Sequence, residues 1–144
     1  MHTQGLERFL TAQQRDYENA LAELSYGRKT THWMWYIFPQ IQGLGFSDTA
    51  KHYALHDLKE ATEFYLHPVL GPRLVTISKA LLRHHDKTAY EIFGSPDDLK
   101  LRSSMTLFAA VPNSDPVFES VLEQLFEGEK DQKTQRILSL QAYG

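Results

Sequence analysis

The chain has no cysteine, which excludes disulfides, thiolate-bound metal and a cysteine nucleophile. Nor does it have a long apolar run: nothing approaches the roughly 18 residues that cross a bilayer as a helix. The opening residues Met1 to Arg8 lack the basic start and apolar stretch of a secretory leader. Charge of one sign is scarce as well. Fifteen Lys and Arg against 18 Asp and Glu give a formal net charge of -3. That balance argues against nonspecific binding to nucleic acid or to an anionic membrane, although a local basic cluster could still hold a phosphate. These absences describe a soluble protein suited to the reducing cytoplasm.

What is present is an ordinary globular composition, 42% apolar and 23% charged over 144 residues. A chain of this size buries about 68% of its unfolded surface. We expect one domain, residues 1–144, without internal repeats or a linker.

The periodicity is helical almost throughout, and the expected fold is an all-α bundle of about seven to eight short helices. Leu6, Phe9, Leu10, Tyr17, Ala20, Leu21 and Leu24 follow helical spacing, interrupted by Gln13 and Gln14, with Gly27 as the stop. Ser47 reads as an N-cap for a stretch to about Leu55. Asp57-Leu58-Lys59-Glu60 reads as a capping box for a helix to about Leu66. His67-Pro68 and Gly71-Pro72 read as a bend, with a helix from Arg73 to His85 after it. Thr88 to Phe93 adds a turn ended by Gly94. Ser95-Pro96-Asp97-Asp98 is a strong start signal, with serine as cap, proline in the first turn and acids at the positive end of the dipole. That helix runs to about Ala110. Asp115-Pro116 opens another through Phe126, and Asp131 to Leu140 forms the last.

The segment Thr31-His32-Trp33-Met34-Trp35-Tyr36-Ile37-Phe38-Pro39-Gln40 stands apart. It holds both tryptophans, beside a histidine, and its apolar run is too short for periodicity to separate helix from strand. Buried Trp, His and Tyr each need a polar partner, so the segment builds either a core wall or a ligand wall. As a ligand wall, Trp33 and Trp35 stack a ring and His32 acts as acid, base or phosphate donor. Gln40, Gly43 and Gly45 then form a loop beside it, though a lone Gly-x-Gly is not the dinucleotide fingerprint.

Further along, Leu101, Ser104, Met105 and Phe108 share one helix face, and Lys100 and Ser104 are i, i+4 neighbours. Asp98, Lys100 and Ser104 are candidates there; the alternative is a packed helix with an Asp98–Arg102 surface pair. Arg73 could meet a phosphate or simply a neighbouring carboxylate. Seven histidines raise the question of metal. His52 and His56 have the spacing of a zincin pair, but Tyr53 stands where the base would be a glutamate. No metal site and no cofactor is expected.

Three phrases resemble a bacterial family: H-W-M-W-Y-I-F-P-Q-I-Q-G-L-G, H-P-V-L-G-P-R-L and I-F-G-S-P-D-D-L-K-L-R-S-S-M-T-L-F. The family is the domain of unknown function 1810, whose members have often been called calpastatin. The resemblance covers nearly the whole chain and implies a helical single domain, with no established activity. The calpastatin name conflicts with the physics: that inhibitor is disordered and repetitive, whereas this chain has caps, periodic apolar faces and enough apolar residues for a core.

A second resemblance is to the NAD- and ADP-ribose-associated NADAR family. It rests on the layout from Asp98-Leu99-Lys100 through Met105, Phe108, Phe118 and Arg136-Ile137-Leu138, and on the helix Thr49-Ala50-Lys51-His52-Tyr53-Ala54. That family is helical and hydrolyses N-glycosidic bonds to ribose phosphates or ADP-ribose. Lys51 stands where its functional glutamate belongs. The resemblance implies an N-glycosidase-type hydrolase acting on a nucleotide or ADP-ribose-type small molecule. In it Trp33 or Trp35 stacks the base, Arg73 or Lys100 holds phosphate, and Asp98 stabilises a cationic sugar or activates water. Two alternatives remain: a non-catalytic module that binds a nucleotide or a protein, and a purely structural aromatic core.

Overall fold

The structure, a computed structural model, describes residues 5–143. Among them the chain forms nine α-helices and no strand. The all-α expectation holds. The count is slightly higher than expected because the ambiguous aromatic segment contains a helical turn of its own.

Helix α1, Glu7–Tyr26, buries Phe9, Ala12, Gln13, Tyr17, Ala20 and Leu24 on one face. Gln13, which interrupts the apolar stripe, is buried because its amide donates to the Tyr36 carbonyl at 2.8 Å. Gly27 closes the helix at φ 100°, its N–H on the Glu23 and Leu24 carbonyls, a left-handed position that glycine takes without steric cost. Helix α2, Met34–Ile37, is one turn. Phe38 leaves the helical region ahead of Pro39, as the residue before a proline tends to. A parallel bridge then joins Ile41 to Leu55, with Leu55 N–H on the Gln40 carbonyl at 2.9 Å and Gln42 N–H on the Leu55 carbonyl at 2.8 Å.

Helix α3, Asp48–Tyr53, is capped by Ser47 as expected. Helix α4, Leu58–Leu66, is opened by Asp57, which accepts from the Glu60 N–H at 2.8 Å. The reciprocal arm of the capping box is displaced by one residue. Glu60 accepts from the N–H of His56, not Asp57, at 2.8 Å, and it also pairs with the His56 ring at 3.0 Å and Arg8 at 3.6 Å.

Helix α5, Leu70–Leu81, begins before the expected Arg73 and ends before His85. Gly71 and Pro72 lie in its first turn, where proline forfeits no helical hydrogen bond. His67 Nδ1 accepts from the Val69 and Leu70 N–H groups at 3.1 and 3.3 Å. At the far end the N–H groups of Leu82, Arg83 and His84 bond three residues back, the tightening that ends many helices.

Helix α6, Ala89–Phe93, carries a full capping box from Thr88 and Glu91. Helix α7, Asp97–Ala109, departs from its expected start. Ser95 supplies no cap, and the Ser95–Pro96 peptide is cis. The first turn is satisfied otherwise: Leu99 and Lys100 N–H groups bond the Pro96 carbonyl, and Asp98 Oδ1 accepts from the Leu99 N–H at 2.9 Å. Helix α8, Val117–Phe126, is opened by Asp115 Oδ1 on the Val117 N–H. Helix α9, Gln132–Tyr143, follows Asp131, which accepts from the N–H and hydroxyl of Thr134.

Helix α7 runs through the middle, packed against α4, α6, α8 and α9. Leu101 and every residue from Ser103 to Phe108 are buried. Such burial tolerates Ser103 and Thr106 because their hydroxyls return to the Leu99 and Arg102 carbonyls at 3.2 and 2.8 Å, satisfying a group that would otherwise cost energy. A ladder of rings crosses the core from α1 to α8: Phe9–Phe64 at 5.0 Å, Phe64–Phe108 at 5.5 Å and Phe108–Phe118 at 5.8 Å. A second cluster joins Trp33, Phe38 and Phe93 at 6.1 to 6.4 Å and forms the base on which the site is built. Among the described residues no helix is long and apolar enough to cross a membrane.

Candidate functional site

Two adjoining hollows, of about 280 and 240 Å³, share Trp35 and Lys100 as their common wall. They lie between the aromatic segment and the start of α7. The larger carries Lys29, His32, Trp33 and Asp97, and the smaller carries Gln40, Leu44, Ser103 and Lys133.

The larger hollow is organised by Glu23 at the end of α1. Its carboxylate accepts from the N–H groups of Thr30 at 2.8 Å and Thr31 at 3.1 Å, from the Thr31 hydroxyl at 2.5 Å, and from the Trp33 indole at 2.9 Å. Asn19 adds a fourth partner at 2.7 Å. Burial alone would push the Glu23 pKa up; these hydrogen bonds outweigh it and hold the group at about 2. The loop from Gly27 to Trp33 is thereby tied to the helix, which sets Lys29 and Trp33.

The Lys29 side chain is only 6% exposed. Its ammonium lies 2.8 Å from Asp97 Oδ2, 2.6 Å from the Thr31 carbonyl and 4.9 Å from the centre of the Trp33 ring. Asp97 Oδ1 takes a second ammonium, that of Lys100, at 3.1 Å, and the same Lys100 group stands 4.2 Å over the Trp35 ring. Burial works to raise the Asp97 pKa, but the hydrogen bonds and charges of Lys29 and Lys100 prevail, and it stays below the usual carboxylate range. Two cations on one carboxylate leave a net positive charge in the groove, lying along two indole faces.

Tyr36 also lines this hollow. Its hydroxyl donates to Asp16 and accepts from Arg15 at 3.2 Å. Burial, then the hydrogen bond to Asp16, raises its pKa, so it stays a neutral phenol at physiological pH.

The structure brings together His32, Trp33, Trp35, Gln40 and Lys100 of the residues singled out by the sequence. Trp33 is 2% exposed and belongs to the core as much as to the hollow; Trp35 is half-buried and lines both hollows. Asp98 lines neither hollow and caps its own neighbour. Ser104 is fully buried, its hydroxyl unpartnered, and the adjacent Ser103 lines the smaller hollow instead. Arg73 lies off the groove, held over the Tyr17 ring at 5.1 Å and beside Gln13 at 3.5 Å. Lys51 is exposed and lies off both hollows.

Sequence reasoning missed Asp97 and Lys29. A signal for Asp97 existed: it and Lys100 are i, i+3 neighbours on a helix, whereas Asp98 is one step out of phase. For Lys29 there was none, because its partners lie on distant elements.

Glu23 gives a pH prediction. Folding lowers its pKa from 4.5 to about 2, so on acidification the unfolded chain takes up the proton first. The contribution is full above pH 4.5 and is lost as pH falls toward 2. The difference in melting temperature between wild type and Glu23→Gln is therefore widest above pH 4.5 and closes below it. A difference that does not change across that window contradicts the assignment.

Fold and groove together define a small all-helical protein with a cationic, indole-walled groove. Residues 3–138 match the family described as a protein of unknown function, DUF1810, and the chain belongs to that family. It is also similar to the conserved hypothetical protein Rv1873 of Mycobacterium tuberculosis. It matches that crystal structure with a TM-score of 0.91 at 42% identity, over 93% of this chain and 96% of that one. No curated protein matches.

Proposed function

We propose that the protein is an N-glycosidase-type hydrolase acting on a ribosylated nucleotide or ADP-ribosyl substrate, with the groove around Trp35 and Lys100 as its site. One observation carries the reading: an ionised carboxylate, Asp97, is fixed between two ammonium groups in a groove walled by indole. Breaking a ribosyl C–N bond develops positive charge on the sugar. Asp97, released as the substrate phosphate draws Lys29 and Lys100 to itself, stabilises that charge, in the part first assigned to Asp98. Lys29 and Lys100 hold phosphate, and Trp35 stacks the ring. Water adds its oxygen to the anomeric carbon while the C–N electron pair leaves with the base. The proton of the water passes to the departing base through His32, or to solvent when the base already carries positive charge and departs neutral. The NADAR-like layout of the sequence agrees with this chemistry, while Lys51 at that family's glutamate position leaves Asp97 to supply the carboxylate.

The test is product formation from ADP-ribose, NAD and mononucleotides, followed by chromatography. Wild type releases free base or ribose phosphate, and folded Asp97→Asn loses about 100-fold or more in turnover, as removal of a group that stabilises transition-state charge does. Unchanged turnover in Asp97→Asn removes that residue from the role.

A non-catalytic binding module is the second reading, and the same two lysines favour it. They hold Asp97 below the usual range, which makes it a weak base. This reading expects saturable binding with no new chemical species.

A further inference from the structure

The smaller hollow has a feature that phosphate binding does not use. Gln40 is only 7% exposed, and it lines this hollow beside Trp35, Leu44 and Ser103. Its backbone carbonyl is taken by the Leu55 N–H at 2.9 Å, which fixes where the side chain starts. The side-chain amide itself makes no hydrogen bond with the described residues. A primary amide brings two donors and two acceptor lone pairs, and with no partner in the fold both of its polar atoms stay open to water at the hollow. Two polar groups at similar depth are satisfied internally, the Gln13 amide by Tyr36 and the Ser103 hydroxyl by Leu99. Gln40 therefore keeps its hydrogen-bonding capacity free at the lining of the hollow, next to an indole.

Resting on the nucleotide reading above, we propose that Gln40 is the specificity-determining residue of the groove. It selects a planar ring that carries a hydrogen-bond donor next to an acceptor, an adenine-type edge or a ring carboxamide. A glutamine amide meets such an edge with two parallel hydrogen bonds, as it does an adenine edge in nucleic acids. The ring lies in the smaller hollow against Trp35, and its phosphate reaches past Lys100 toward Lys29 in the larger one. Lys100 stands between the two hollows and serves both: its ammonium is on Asp97 and over Trp35 at once.

The test is calorimetric titration of the intact protein with paired ligands. Adenosine monophosphate is set against purine riboside monophosphate, which lacks the 6-amino donor. Nicotinamide mononucleotide is set against nicotinic acid mononucleotide, which lacks the amide donor. Ribose 5-phosphate reports the phosphate site alone. One of the two donor-bearing ligands is expected to bind about 10- to 100-fold more tightly than its counterpart, the range set by an unmet buried polar group, and which pair discriminates identifies the ring. Gln40→Leu is expected to erase that discrimination while leaving ribose 5-phosphate affinity unchanged. Gln40→Met, which keeps the length and loses both donor and acceptor, repeats the result should the leucine variant fold poorly. Equal binding within both pairs, or discrimination that survives in both variants, overturns the proposal. If ribose 5-phosphate still binds in that case, the groove reading stands and only the role of Gln40 falls. If no phosphate-bearing ligand binds at all, both fall.

Discussion

Trp33→Ala is expected to remove about 3–5 kcal/mol of stability, the usual cost of emptying a buried aromatic site, and to lower the melting temperature by roughly 10 °C or more. Trp33 is the largest fully buried side chain. Its ring packs on Phe38 and Phe93, and its N–H satisfies Glu23 at 2.9 Å. The alanine leaves a cavity and removes a donor from the carboxylate that organises the neighbouring loop, so the groove loosens along with the fold. Trp33→Phe keeps most of the ring volume and loses the N–H, and is expected to cost about 1–2 kcal/mol. Trp35→Ala, at a half-buried site, costs less than Trp33→Ala. Chemical denaturation of the three variants checks the order. A Trp33→Ala protein that melts within a degree or two of wild type contradicts it.

Gly71→Ala is expected to cost about 3 kcal/mol or more, the upper part of the range for forcing an atom into a packed site. A Cβ at this position would stand 1.9 Å from the Tyr65 carbonyl oxygen and 2.9 Å from its carbonyl carbon. The obstruction is backbone, not the tip of a flexible side chain, so relief requires the turn between α4 and α5 to open. These two helices pack on one another and α5 packs on α1 and α8, which leaves little room for that movement. Thermal unfolding checks it, and a Gly71→Ala variant as stable as wild type would show that the turn yields easily.

The helices were legible where local chemistry decides them. The spacing from Leu6 to Leu24, the Ser47 cap, the turn from Thr88 to Phe93 and the Asp115 start are all set by residues within a turn or two of each other. The start of α7 was less so: Ser95 has the right chemistry for a cap, but the Pro96 carbonyl and Asp98 carboxylate satisfy the first turn without it. The beginning of α5 was misplaced for a similar reason, since the His67 ring supplies its cap from outside the expected pattern.

The candidate site divides in the same way. The aromatic segment announced itself by composition, and Trp35, Gln40, His32 and Lys100 do line the hollows. The link from Lys29 to Asp97 was invisible, because it is made by packing the loop after α1 against the start of α7. Arg73 shows the converse. It carries the right charge for a phosphate, but the fold turns it onto Tyr17 and Gln13 of α1.

The most direct test of the central claim is a tryptophan-fluorescence titration with ADP-ribose, NAD and mononucleotides, corrected for inner-filter absorption, on wild type and Lys100→Ala. Both indoles of the chain line the groove, so no other tryptophan contributes. Saturable quenching by at least one phosphate-bearing ligand is expected, weakened about tenfold or more in Lys100→Ala, the loss expected for a charge-assisted hydrogen bond. A flat response across the panel, or quenching indifferent to Lys100, would contradict it.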